Sequence, residues 1–120
     1  MYIVKLISIL FFSLSFTVNA QECSKILDAQ QVPELATLER CRDFTQRQAR
    51  RFERPVFKIE LEQDLLERLI YVISEKETCF SARESFFSSY GIRNREIPKK
   101  DMGDELKRFW DMLKKACPNI

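Results

Sequence analysis

The chain has 120 residues, 32% of them charged, and its 20 Lys and Arg against 18 Asp and Glu give a formal net charge of +2. Such a balance argues against a nucleic-acid partner, because binding to nucleic acids relies on a clear excess of basic residues. Histidine is absent, which removes the commonest general base and metal ligand. No nucleophile-elbow, phosphate-loop or dinucleotide motif occurs. We therefore expect neither an enzyme nor a bound cofactor or metal.

Residues 1–20 have the pattern of a cleavable signal peptide. Lys5 is the only early charge, the run from Leu6 to Phe16 is apolar apart from three serines, and Val18 and Ala20 fit the −3 and −1 positions. The apolar run is too short for a bilayer, so an uncleaved membrane anchor is the weaker alternative. We predict cleavage after Ala20, no membrane span afterwards, and a secreted, extracellular product (periplasmic if the source is bacterial).

Residues 21–120 are predicted to form a single helical domain. Cleavage removes one of the 20 basic residues, Lys5, which leaves 19 against 18 acidic ones. The whole chain has only two glycines, and no stretch alternates apolar and polar residues for long or carries a hairpin signal. A domain of this size has a modest core, so cross-links would stabilise its fold. The predicted fold class is all-α, a small disulfide-stapled bundle of about four helices.

The first long helix is predicted from about Pro33 to Glu53, after a short helical turn near Glu22 to Ala29. Proline suits the first turn of a helix, and Pro55 ends this one. At 100° per residue, an apolar side is formed by Leu38, Cys41, Thr45, Ala49 and Phe52. The opposite side carries the arginine face, which consists of Arg40, Arg47, Arg50, Arg51 and Arg54.

The second helix is predicted from about Phe57 to Glu77. Its apolar residues cover more than half of the circumference, which is typical of a central helix contacted on several sides. Glu60, Asp64 and Glu67 share its polar side. Paired carboxylates can perform acid–base catalysis when one of them has a raised pKa, but we interpret these three as solvated.

Two further helices complete the predicted bundle. Ser81 and Glu84 have capping-box spacing, which favours a third helix that starts at Ser81 and stops at Gly91. After a charged connector, Asp101 is the predicted N-cap of the last helix. Its apolar stripe consists of Met102, Leu106, Phe109, Trp110, Leu113 and Cys117.

All four cysteines, Cys23, Cys41, Cys79 and Cys117, lie after the predicted signal peptide. An even number in an oxidising compartment predicts two disulfides and no thiolate nucleophile. The absence of a Cys-x-x-Cys pair and of histidine disfavours a zinc site. Three pairings are open to four cysteines. A chain reversal near Gln31 favours the pairing Cys23–Cys41. The charged connector between the last two helices favours the pairing Cys79–Cys117.

The arginine face is the first candidate binding site. Its five arginines, with Phe44 at the edge as an exposed aromatic anchor, could bind an acidic protein, a sulfated glycan or a phospholipid head group. The simpler interpretation is a solvated helix surface in which Asp43 pairs with Arg47 four residues on.

An apolar pocket is the second candidate site. Its predicted lining consists of Phe80, Phe86, Phe87, Leu65, Leu69 and Trp110, although such side chains more often fill a core. Arg83 lies among these aromatic residues. It could bind a ligand carboxylate, but a surface position beside a glutamate is the commoner arrangement.

These features favour a small secreted, non-enzymatic binding protein (a signalling ligand, an effector or toxin, or an inhibitor) that acts through an extracellular protein or surface partner. The alternative is an extracellular helical carrier of a small apolar ligand or lipid. A carrier needs a cavity of about 300 Å³ or more, whereas a binding protein needs a filled core and an exposed patch.

Overall fold

The computed structural model describes residue 23 and residues 25–51, 57–97 and 102–120. The predicted signal peptide lies outside the described residues. A short 3-10 turn, Ile26–Asp28, is followed by four α-helices: α1 (Leu35–Arg51), α2 (Phe57–Ile73), α3 (Cys79–Ser89) and α4 (Gly103–Ala116). The predicted all-α, disulfide-stapled bundle is confirmed. No helix in the described part of the chain is long and apolar enough to cross a bilayer.

Helix α2 ends at Ile73, earlier than the predicted Glu77. Glu75 has a left-handed φ of 61°. Its amide donates to the Val72 carbonyl at 3.1 Å, and the Lys76 amide donates to the Tyr71 carbonyl at 2.9 Å. These two bonds form a Schellman motif, which turns the chain out of the helix.

The predicted start of α3 at Ser81 is wrong, because the helix begins at Cys79. Thr78 is the N-cap, and its hydroxyl oxygen accepts a hydrogen bond from the Ser81 amide at 3.1 Å. The Ser81 hydroxyl instead donates to Glu77 at 3.1 Å. At the other end of α3, Gly91 has a φ of 63°, a conformation that glycine adopts without steric cost.

Helix α4 begins at Gly103, after the N-cap residue Met102. The predicted N-cap, Asp101, lies outside the described residues.

Both predicted disulfide pairings are confirmed. The Cys23–Cys41 bridge fastens the N-terminal segment to α1, with 5.3 Å between the Cα atoms. The Cys79–Cys117 bridge joins the start of α3 to the end of α4, with 5.9 Å between the Cα atoms. Because the two bridges tie different pairs of segments, each restricts a separate part of the unfolded chain.

The core forms around α2, as its broad apolar surface predicts. Leu65 and Leu69 of α2 are fully buried with Leu38 of α1, Phe86 of α3 and Phe109 of α4. The Phe86 and Phe109 rings are 4.6 Å apart. Burial of each such side chain contributes about 1.5–3 kcal/mol. The filled centre leaves the surfaces of the helices as the places where a partner can bind.

Candidate partner-binding surfaces

The predicted arginine face of α1 is only partly within the described structure. Arg47 is exposed and Arg40 is half-buried. The side chains of Arg50 and Arg51, and the whole of Arg54, lie outside what the structure describes. The arginine face therefore stays a prediction.

Two details of that face differ from expectation. Asp43 contacts Arg42, with 3.2 Å between Nη2 and Oδ1, so the expected pair with Arg47 is wrong. The long Arg42 side chain bends back onto the carboxylate next to it. Phe44 is half-buried and is not the exposed anchor that the sequence suggested.

The residues of the predicted apolar pocket do not line one cavity. Phe86, Leu65 and Leu69 are fully buried in the core, whereas Phe80 is 64% exposed. Six residues of helix place Phe80 about 120° around the axis of α3 from Phe86, so the helix cannot bury both against α2. Phe80 is therefore corrected from pocket lining to surface.

Four concavities of the described structure are of two kinds. A partly enclosed one beside Cys23, Ile26 and Leu65 has a volume of about 20 Å³. That is room for about one water molecule, far below the size of a lipid site. Three larger ones, of 420–610 Å³, are open grooves on the surface.

A set of aromatic and basic side chains extends from α3 to α4. We call it the aromatic–basic stripe, and it consists of Phe80, Arg83, Phe87, Trp110 and Lys114. The Arg83 guanidinium carbon lies 4.9 Å from the centre of the Phe80 ring. The Phe87 and Trp110 rings are 5.0 Å apart. The Lys114 ammonium lies 5.6 Å from the centre of the Trp110 ring.

The helices hold this stripe in place. Phe80 follows Cys79, whose disulfide ties α3 to α4. Arg83 bonds to Glu84 at 2.8 Å, which confirms the expected glutamate partner and fixes the guanidinium beside Phe80. A cation over an exposed aromatic ring contributes about 0.5–1 kcal/mol. The Phe80 ring is thus exposed and at the same time restrained.

A polar network joins α2 to α3 on a different side. Arg68 donates to Asp64 at 2.7 Å, to Ser85 at 3.0 Å and to Ser89 at 2.8 Å. The Tyr90 hydroxyl also donates to Asp64. Burial, and then the hydrogen bond to this carboxylate, raise the pKa of Tyr90 above its usual value. Asp64, predicted as solvated, keeps 42% of its side chain exposed and is also part of an interhelical contact.

This network has the character of a structural contact. Its guanidinium, carboxylate and hydroxyl groups already bind one another. The sequence signal was weak: Asp64 and Arg68 have the spacing of a helical ion pair, but nothing local assigns the serines of α3 as partners.

The chain matches no known protein family, no curated protein and no solved structure. Within the described residues, no group of three or more Cys, Asp and Glu side chains is arranged to hold a metal ion.

Proposed function

We propose that this chain is a small secreted, non-enzymatic binding protein that acts through a protein partner outside the cell. Residues 1–20 are the proposed signal peptide, removed on export. The two disulfides support this location, because such bridges persist in oxidising compartments and are rare in the cytosol.

One observation carries the proposal: a restrained aromatic side chain stands exposed within the aromatic–basic stripe. Phe80 is 64% exposed, and Arg83 packs against its ring. Aromatic side chains, phenylalanine included, and arginine are enriched in protein interfaces relative to the rest of the surface. A ring that is already restrained loses less conformational entropy on binding than a free one.

The filled core favours this proposal over the apolar-ligand carrier. The partly enclosed cavity of about 20 Å³ cannot hold a lipid. A cavity of 300 Å³ would cost about 7 kcal/mol at about 24 cal/mol per Å³, which is a large part of the stability of a small domain.

The chemistry of the chain also favours a binding role over catalysis. The sequence has no histidine, and its four cysteines are joined in disulfides. The chain therefore has neither an imidazole base nor a thiolate nucleophile.

Capture of the partner tests the proposal. The full coding sequence is expressed in a secreting host, and the oxidised protein from the medium is immobilised and exposed to extracellular fluid or surface proteins of the source. We expect one protein to be retained. Phe80→Ala should weaken its binding about 30-fold, the effect of losing a strong interface residue.

Tyr71→Ala is the matched control. Within the described residues, Tyr71 is the other exposed large hydrophobic side chain, at 46%, and it lies on α2 outside the stripe. Its loss should leave capture unchanged. Equal capture by the wild-type protein and Phe80→Ala would remove the stripe from the proposal, and capture of no protein at all would contradict the binding role itself.

A further inference from the structure

The connection between α3 and α4 contains a tight basic turn, formed by Arg93, Asn94, Arg95 and Glu96. The Glu96 amide donates to the Arg93 carbonyl at 3.0 Å. Asn94 and Arg95 have φ values of 57° and 59°, and positive φ at both central positions is the mark of a type I′ turn. Ile92, 7% exposed, anchors the turn to the core.

Arg95 is an unusual residue for its backbone position. A side chain with a β-carbon is disfavoured in the left-handed region, where glycine or asparagine is the common choice. Asn94 follows that preference and Arg95 does not. Backbone outliers of this kind concentrate at functional sites.

Within the described residues, the two arginines of the turn have no counter-charge. Both are exposed, and neither makes an ion pair with any carboxylate in the described part of the chain. The neighbouring lysines of α4 differ, since Lys107 and Lys114 lie 3.6 Å and 3.5 Å from the Asp111 carboxylate. The turn therefore presents two guanidinium groups that are available to an external anion.

An open groove of about 580 Å³ runs from this turn along α4. Arg95 and Ile97 line it on the side of the connection, and Lys107, Trp110 and Lys114 line it on the side of the helix. Trp110 and Lys114 also belong to the aromatic–basic stripe. The groove and the stripe are therefore parts of one continuous surface.

We propose that this groove binds an acidic segment of the partner protein. Partner carboxylates pair with Arg93 and Arg95, and an apolar side chain of the same segment packs on Ile97 and the edge of Trp110. Guanidinium groups bind carboxylates through paired, charge-assisted hydrogen bonds. This inference rests on the proposed function and names the chemistry of the partner.

A protein segment fits the groove better than a uniformly charged polyanion. Asp104 and Asp111 line the same groove, and Glu96 is exposed beside Arg95. These carboxylates repel an unbroken row of sulfates, whereas a mixed peptide can direct apolar or neutral groups at them.

Trp110 provides a direct measurement, because it is the only tryptophan of the chain and lies in the groove. The probe is a synthetic eight-residue peptide with two central leucines, each flanked by one serine and then two glutamates. Titration into the oxidised protein should change the Trp110 fluorescence and reach saturation. The same peptide with lysines in place of the glutamates should cause no saturable change.

Charge reversal identifies the residues involved. The double variant Arg93→Glu, Arg95→Glu should raise the Kd of the acidic peptide about 10-fold or more, the effect of losing charge-assisted hydrogen bonds. Lys58→Glu, which reverses the charge of an exposed lysine of α2 outside the groove, is the control and should leave the Kd unchanged. Circular dichroism melts establish that both variants fold like the wild-type protein.

Three outcomes would overturn the inference: equal peptide affinity for the wild-type protein and the double variant, no saturable change at millimolar peptide, or tighter binding of a heparin fragment than of the peptide.

Partner capture separates the two proposals. If the double variant still captures the partner and Phe80→Ala does not, the groove is not the binding site for the partner, and the proposed binding role stands. If the wild-type protein captures nothing, the binding role fails, and the peptide titration still decides on the groove.

Discussion

Glu62 of α2 has a carboxyl group whose charged form the fold disfavours. Burial beside the small, partly enclosed cavity raises the pKa of Glu62, and the nearby Glu105 carboxylate raises it further. Lys58 and Arg108 act in the opposite direction and do not cancel the effect. The folded protein therefore binds this proton more tightly than the unfolded chain does.

The consequence is a pH-dependent loss of stability. The folded-state pKa of Glu62 lies above the ordinary value of 4.5. The free energy of unfolding therefore falls as the pH rises from the unfolded-state pKa to the folded-state pKa. Glu62→Gln removes the charged form. We expect this variant to be more stable than the wild-type protein at pH 7, with the difference disappearing below about pH 4.

Urea denaturation at a series of pH values measures this difference. Glu60→Gln is the matched control, because it removes the same charge from an exposed position of α2. A Glu62→Gln variant that is no more stable than the wild-type protein at pH 7 would contradict the prediction. So would a stability difference that stays constant with pH.

At the scale of single elements, the end of α2 shows a mismatch between residue and backbone. Glu75 occupies the left-handed position of the Schellman motif, which glycine usually fills. Glu75→Gly relieves the steric cost of the β-carbon but gives the unfolded chain more freedom. We expect a net gain of about 0.5–1 kcal/mol in the free energy of unfolding.

The neighbouring Lys76→Gly serves as control. Lys76 follows the left-handed residue and has no positive φ, so glycine there should only lower stability. The midpoints of urea denaturation compare the two variants. The prediction fails if Glu75→Gly unfolds at the same midpoint as the wild-type protein, or earlier.

The sequence predicted the helices better than their ends. The apolar arc of α2 was enough to identify it as the central helix, because burial on several sides requires such an arc. Thr78 was missed as N-cap because a glutamate stands three residues after Ser81, whereas a serine stands three residues after Thr78. The capping-box pattern therefore favours Ser81, although Thr78 caps the helix without a reciprocal glutamate.

The candidate site was less predictable than the fold. Phe80 was assigned to the same side of α3 as Phe86, whereas six residues of helix place the two rings on different sides and only Phe86 is buried. The basic turn carries no glycine at its two central positions, so the usual signal of a type I′ turn is missing. The contacts between the stripe residues of α3 and α4 depend on how two distant segments pack, which no local pattern contains.

At the scale of the whole molecule, the two disulfides restrict the unfolded chain to different extents. Cys23 and Cys41 are 18 positions apart, and Cys79 and Cys117 are 38 positions apart. In the chain-entropy model, loops of these sizes contribute about 3 and about 4 kcal/mol. Both values are large against the 5–15 kcal/mol that stabilises a typical domain.

Removal of each bridge should therefore have a different effect on stability and on binding. Replacement of Cys79 and Cys117 by alanine should lower the free energy of unfolding by about 4 kcal/mol, against about 3 kcal/mol for replacement of Cys23 and Cys41. The first change also releases α3 from the end of α4, beside Phe80. Partner capture at a temperature where both variants are folded should then fall for the Cys79–Cys117 variant and stay unchanged for the other. The reverse order of stability would contradict the loop-size argument, and equal capture by both variants would show that the stripe does not depend on this bridge.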